Sequence, residues 1–287
     1  MTAAEFQTQI KQTGCYDTPP SPPAAWCDRL LGRFDVWYNL RVCSMIIRAF
    51  FSLVRGRPSS AVWFEHSIRI TRIVEACGGR VSIRGAHHLA CENAPVIVSN
   101  HMSALETLLL PSAIVTFHDM TTVVKDSLLN YPLFSRILRT VKAIGVTRTD
   151  PRKDLATVLS QGPQVLKEDR ALLLFPQGTR SREFDASRFN SLGVKLAKRA
   201  GVSLIPLAVK TDFHGVGRWV KDFGPVDRSQ HIHLAFGAPL TVDVDGNARE
   251  VHQKAVSFIA DQLRAWDIPV VNGPDPQPTT TTKEEAP

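Results

Sequence analysis

Two rhythms of apolar residues alternate along this chain. Short strand-like runs occupy Arg80–Ile83, Pro95–Ser99, Thr121–Val124, Ala143–Thr147, Ala171–Phe175, Ser203–Val209 and His231–Phe236. Runs of that length, rich in Val, Ile and Leu, predict β-strands. Between them lie stretches with helical spacing. One starts at Ser103, one runs from Ser127 through Val141 with an interruption at Pro132, and others fill Pro151–Lys167, Leu192–Arg199 and Ala248–Trp266. Pro151 suits a first helical turn and Gly201 a helix end. The alternation predicts an α/β fold, a mixed sheet flanked by helices.

The N-terminal part departs from that rhythm. Residues 28–56 read as a helix in which Val42, Met45, Ile46, Ile47, Phe50, Phe51 and Leu53 form a broad apolar surface. Arg41, Arg48 and Arg55 recur every seven residues and so stack on one face. Pro58 breaks this helix, and a second follows from about Ser60 to Ala76, ended by Gly78-Gly79. An apolar surface edged by arginines is the pattern of a helix lying in a membrane interface; ordinary packing on the rest of the molecule is the competing reading. The chain thus divides into a flexible leader (1–27, Pro-rich at its end), an amphipathic helical pair (28–79), an α/β domain (80–268) and a disordered tail (269–287).

Composition narrows the classes. At 287 residues and 44% hydrophobic content the chain can bury a full core. No uncharged apolar run is long enough for a confident membrane span, and no secretory signal is evident. Five cysteines, odd in number and without a C-x-x-C pair, suit reduced, mostly buried thiols in a cytosolic setting. The net charge is +7, and the stretch from Asp28 to Arg80 holds nine arginines against four acids. With no dense basic block and no nucleic-acid motif, the expected partner is an anionic membrane surface rather than nucleic acid.

Two segments carry chemistry. His101 ends the run Val96–Asn100, and Glu106 follows five positions later, in the first turn of a helix. On one helix, positions five apart point roughly 140° away from each other. The two side chains therefore meet only if His101 lies in the loop and Glu106 in the helix, with Ser103 as N-cap. Such a pair makes a general base: the carboxylate fixes the imidazole tautomer and stabilises the imidazolium. Ser103-Ala104-Leu105-Glu106 is equally an S-x-x-E capping box, which needs no catalysis. Downstream, Pro176-Gln177-Gly178-Thr179-Arg180-Ser181 follows a strand and supplies a flexible turn, hydroxyls and a guanidinium, a set suited to phosphate or carboxylate but also to a plain turn. The group His87, His88, Cys91 and Glu92 matches no zinc template, and His231 and His233 share a strand face in a structural role; no metal is expected.

Together the two segments resemble the glycerolipid acyltransferase family, typified by 1-acyl-glycerol-3-phosphate acyltransferase. The family's N-H-x-x-x-x-D reads Asn100-His101-Met102-Ser103-Ala104-Leu105-Glu106 here, and its F-P-E-G-T-R-S reads Phe175-Pro176-Gln177-Gly178-Thr179-Arg180-Ser181. Ile144–Arg148, Leu204–Val209 with Pro206, and Lys125 resemble further family positions in the same order. Glu106 stands for the usual aspartate and Gln177 for the usual glutamate.

The resemblance implies a fatty acyl transfer from acyl-CoA or acyl-ACP, as co-substrate rather than cofactor, to a lysophospholipid hydroxyl, most simply that of 1-acyl-glycerol-3-phosphate. It casts His101 and Glu106 as catalytic and Lys125, Arg148, Gly178, Thr179 and Arg180 as substrate-binding, with backbone near Gly178 for the oxyanion. It also implies residence on the cytoplasmic face of a membrane, peripheral or monotopic. A non-glycerophosphate lipid acceptor, a lipid hydrolase or thioesterase, and a non-catalytic lipid-binding module are the alternatives.

Overall fold

The computed structural model describes residues 2–217, 222–242 and 246–275, with the side chains of 132–134 excepted. In chain order the elements are α1 (Ala3–Thr13), β1 (Tyr16–Asp17), α2 (Trp26–Leu31), α3 (Asp35–Val54), α4 (Ser59–Ala76), β2 (Arg80–Arg84), β3 (Val96–Ser99), α5 (Leu105–Ile114) and β4 (Asp119–Lys125). There follow α6 (Pro132–Thr140), β5 (Ile144–Val146), α7 (Pro151–Lys167), β6 (Arg170–Leu174), β7 (Phe184–Asp185), α8 (Leu192–Ala200), β8 (Leu204–Lys210), β9 (His231–Phe236), α9 (Ala248–Ala265) and β10 (Val270–Val271).

The main sheet is mixed, with strand order β1-β2-β9-β8-β3-β6-β4-β5. Its central run, β8-β3-β6-β4-β5, is parallel throughout. These strands alternate between two cores. Ile97, Leu173, Ile205 and Val209 face the layer holding α4 and α5, while Val96, Val98, Leu172, Leu174 and Leu204 face the layer holding α7, α8 and α9. Strands buried on both faces explain why the sequence shows continuous apolar runs here instead of alternation. Pro206 costs the β3–β8 ladder nothing: its carbonyl accepts from Gly237 just past the end of β9, so its missing N–H falls on the fraying side.

Four sequence expectations change. Residues 3–13, expected as flexible leader, form α1. Its N-cap Thr2 and Glu5 make a capping box, Gly14 closes it in the left-handed conformation, and Phe6 and Ile10, one turn apart, are buried. β1 then adds an antiparallel edge strand on β2, and Glu75 of α4 accepts from the hydroxyls of Tyr16 and Thr18. The single helix expected over 28–56 is two, α2 and α3, broken at 32–34. The expected helical pair also divides in role: α4 is core, with Val62, Ile68, Ile70, Ile73 and Val74 buried, while α3 has one buried and one exposed apolar face. All five cysteines are free, and only Cys77 is fully buried. The tail expected over 269–287 begins with β10 paired to β7; residues 276–287 lie outside the described residues.

Candidate active site

The site grows from the carboxyl end of β3. After Ser99 the buried side chain of Asn100 takes over the ladder: its Nδ2 donates to the Val209 carbonyl and its Oδ1 accepts from the Val209 N–H, each at 2.8 Å. The backbone is thereby free to turn away, and His101 leaves the sheet. Its own carbonyl accepts from Ser181 N–H at 2.9 Å, which ties this loop to the one after β6.

His101 and Glu106 meet. His101 Nδ1 lies 2.7 Å from Glu106 Oε1. A carboxylate only accepts, so Nδ1 carries the proton and Nε2 keeps its lone pair. Phe175 stacks on the ring, centroids 4.2 Å apart and planes at 24°, and the imidazole is 11% exposed. Helix α5 starts at Leu105, and Ser103 Oγ accepts the Leu105 N–H, so Ser103 caps as expected although the formal N-cap is Ala104. Glu106 Oε1 also accepts from Met102 N–H (2.8 Å), and Oε2 from Ser103 N–H (3.0 Å) and Thr211 Oγ (2.6 Å). Ser103 Oγ stands 3.0 Å from Oε2 and 2.9 Å from Thr211 Oγ1, and its single proton serves one or the other.

The two readings of Glu106 thus coincide. One carboxylate caps the helix start and orients the histidine, and the loop wraps around it closely enough to absorb the methylene that separates glutamate from aspartate. Glu106 is fully buried. Burial pushes its pKa up, but the hydrogen bond and charge of His101, then Thr211 and the backbone, outweigh that and hold the carboxyl below its ordinary range.

The cations gather on the same edge of the sheet. Arg148 lies two residues past β5 in the left-handed region, at φ +63°. Asp154 holds it there by accepting the N–H groups of Thr147 and Arg148, both at 2.7 Å. Burial, followed by the charge of Arg180, lowers the Arg148 pKa, while Asp154 opposes this. The strands that lead to the two guanidiniums, β5 and β6, flank β4. Arg180 pairs with Asp222 at 2.5 Å, and among the described residues no carboxylate bonds the Arg148 guanidinium. Lys125 ends β4 opposite Val146, exposed, one strand from Arg148.

The turn after β6 needs one correction. Gly178 has φ +71° and faces open space, as a ligand-approach position should. Its N–H, however, donates to the Phe175 carbonyl at 2.9 Å and is not free for an oxyanion. Among the described residues, the N–H groups of Thr179 and Arg180 have no acceptor, and the Thr179 side chain is exposed.

Every sequence-expected position thus lies at the carboxyl ends of adjacent parallel strands, where open α/β sheets bind ligands. Sequence reasoning missed Thr211, Asp154, Asp222 and His214. His214 is buried, takes Gly224 N–H at Nε2 (3.4 Å) and stands 3.3 Å from Tyr38 Oη of α3. Burial, then Arg180, depresses its pKa. The only advance signal for Thr211 was the position of its strand, since 105 residues separate it from Glu106.

The acyltransferase family matches residues 80–210, a span that includes the His101–Glu106 pair, Lys125, Arg148 and the 175–181 turn. The 1-acyl-sn-glycerol-3-phosphate acyltransferase of Pseudomonas aeruginosa is 29% identical over 203 residues, covering 70% of this chain and 75% of that protein. The alpha enzyme of that name from Mus musculus is 30% identical over 222 residues, covering 67% of this chain and 74% of that protein. The crystal structure of the 1-acyl-sn-glycerophosphate acyltransferase of Thermotoga maritima superposes with a TM-score of 0.61 at 16% identity, over 84% of this chain and 98% of that one, and so shares the fold. With a histidine and carboxylate joined at the end of a parallel strand, and relatives that span most of both chains, this protein belongs to the acyltransferase family.

Proposed function

We propose that the protein transfers a fatty acyl group from a coenzyme A or carrier-protein thioester to the free hydroxyl of 1-acyl-glycerol-3-phosphate. The observation that carries this reading is the 2.7 Å contact between His101 Nδ1 and the buried Glu106 carboxylate, which leaves Nε2 basic. Nε2 takes the proton of the acceptor hydroxyl as its oxygen attacks the thioester carbonyl. The tetrahedral oxyanion takes the N–H groups of Thr179 and Arg180. Collapse breaks the carbon–sulfur bond, and the imidazolium returns its proton to the departing thiolate. Glu106 stabilises the imidazolium between these steps. Ser103 is no nucleophile, because its hydroxyl is engaged with Glu106 and Thr211.

Arg148 and Arg180 would hold the acceptor phosphate, with Lys125 on the neighbouring strand. Support comes from their place on one edge of the sheet and from the Arg148 guanidinium, to which no carboxylate is hydrogen-bonded among the described residues. A phosphate between two guanidiniums makes short, charge-assisted hydrogen bonds.

The acceptor lies at a bilayer surface. No helix of the described residues is long and apolar enough to cross a membrane. Trp26 (78% exposed) and Leu30 on α2, and Val36 (70% exposed), Leu40, Ile47, Phe51 and Val54 on α3, are the supporting feature. At about 100° per residue the α3 members fall within about 60° of one another, opposite the buried face of Tyr38, Val42, Met45, Ala49 and Leu53.

The test is an assay of purified protein with labelled acyl-CoA or acyl-ACP and a panel of lysolipids, with His101→Ala in parallel. Phosphatidic acid should form, and the variant should lose about 10²- to 10⁴-fold in rate while melting like wild type. Free fatty acid without acceptor dependence would replace this reading with hydrolysis. No turnover with any donor would reduce the protein to a lipid-binding module.

A further inference from the structure

The arginine stripe of α3 does more than edge an apolar face. Arg48, Phe51, Ser52 and Arg55 line one side of a cleft of about 420 Å³, and Glu65, His66 and Arg69 of α4 line the other. None of these residues belongs to the catalytic edge. Glu65 is engaged on both oxygens, with Arg57 at 2.8 Å and Arg69 at 3.3 Å. Among the described residues, no carboxylate pairs with Arg48 or Arg55. The cleft therefore holds an excess of positive charge.

His66 is the independent observation. It is 6% exposed, and neither ring nitrogen has a hydrogen-bond partner. Buried polar atoms are nearly always satisfied, so an unpartnered one calls for an explanation. Here the cleft that His66 lines carries three guanidiniums, a setting that suits an anion.

We propose that this cleft is a binding site for the phosphate of an anionic phospholipid headgroup, separate from the site that holds the acceptor. The α3 geometry favours a bilayer lipid as the source. Arg41, Arg48 and Arg55 fall at about 70° to 110° around the helix from the middle of the exposed apolar strip. When that strip sits in the acyl-chain region, the cleft stands at headgroup height. Phe51 belongs to both surfaces. A phosphate between Arg48, Arg55 and Arg69 gives one His66 nitrogen an acceptor for its N–H. It also relieves the electrostatic pressure on the ring, whose pKa is depressed by burial first and then by Arg69, Arg57 and Arg48 against Glu65.

This inference rests on the membrane reading of α3, and the test separates the two. Binding of the full chain to phosphatidylcholine vesicles is compared with binding to vesicles that also carry phosphatidylglycerol, a lipid that is neither acceptor nor product. Wild type should bind both and gain from the anionic lipid. Arg48→Gln with Arg55→Gln should lose roughly tenfold or more of that gain and keep its affinity for phosphatidylcholine. Arg29→Gln with Arg33→Gln removes equal charge from exposed positions outside the cleft and should lose far less. Equal losses from the two pairs would reduce the cleft to diffuse attraction and overturn the site.

His66 supplies a second readout, through the imidazole nitrogen resonances of histidine-labelled protein. Phosphatidylglycerol vesicles should shift its signals in wild type and not in the Arg48/Arg55 variant; no shift overturns the proposal. A shift with inorganic phosphate but not with the vesicles would assign the cleft to free phosphate and overturn the lipid assignment. Failure of wild type to bind phosphatidylcholine at all would instead sink the membrane reading.

Discussion

Glu106 has to remain an anion where no water reaches it. Four donors converge on it to make that possible: the His101 imidazole, the Thr211 hydroxyl and the backbone N–H groups of Met102 and Ser103. Glu106→Gln keeps the size but sets an NH2 group against N–H donors. It should cost about 1–3 kcal/mol of stability and, by unsettling the imidazole tautomer, about 10²-fold or more in kcat. A purely capping residue would lose the stability and keep the rate.

The pH dependence has a definite sign. The folded-state pKa of Glu106 lies below that of the unfolded chain, about 4.3. Between the two values the unfolded chain binds the extra proton, so stability rises with pH there and is lost as pH falls through the folded value. Urea unfolding across that acid range should be steeper for wild type than for Glu106→Gln; parallel curves would mean that the carboxyl is not depressed. The pairing of Glu106 with His101 was legible because a five-residue spacing leaves one geometry in which the side chains touch. The Thr211 contact was not, because β8 and β3 are neighbours in the sheet while Thr211 and Glu106 lie 105 residues apart in the chain.

At the level of elements, α1 shows how a composition argument can outweigh a local one. The run of prolines at 19–23 suggested a leader, yet the start of the chain carries its own helix signals: T-x-x-E at Thr2–Glu5, apolar residues at Phe6 and Ile10, and Gly14 at the end. Those signals have physical force because Phe6 and Ile10 are nearly inaccessible to solvent in the layer that also holds α4 and α5. Ile10→Ala should therefore cost about 2–4 kcal/mol, read as a lower urea midpoint at unchanged slope. A frayed leader would lose only a few tenths. The strands of the main sheet other than β1 were legible to within a residue or two, since doubly buried central strands write their burial as unbroken apolar runs. The divergence of α3 from α4 was not, because apolar content alone does not say which face another element covers.

Across the whole molecule, the exposed strip and the catalytic edge are linked through contacts to one segment of the chain. The first half of α3 is fastened to the segment after β8: Tyr38 Oη to His214, Asn39 Nδ2 to the Gly224 carbonyl at 3.3 Å, and Asp35 to Val226 N–H and the Arg228 guanidinium at 3.1 and 2.9 Å. That same segment supplies Thr211 to Glu106 and Asp222 to Arg180. On the proposed reading, seating α3 in a bilayer fixes the position of His101 relative to the headgroups, so the acceptor need not leave the membrane to react. Leu40→Ser with Ile47→Ser removes apolar area from the strip without touching the core, because both side chains are exposed. The variant should melt like wild type and lose at least about tenfold in kcat/KM on long-chain acceptor held in vesicles, as expected for roughly 1.5 kcal/mol or more of lost interfacial burial. On a short-chain, water-soluble acceptor it should match wild type, because nothing within reach of His101 has changed. An equal loss on both acceptors would mean that the strip acts through the fold and not through the membrane. No loss on either would mean that the exposed face of α3 meets something other than a bilayer.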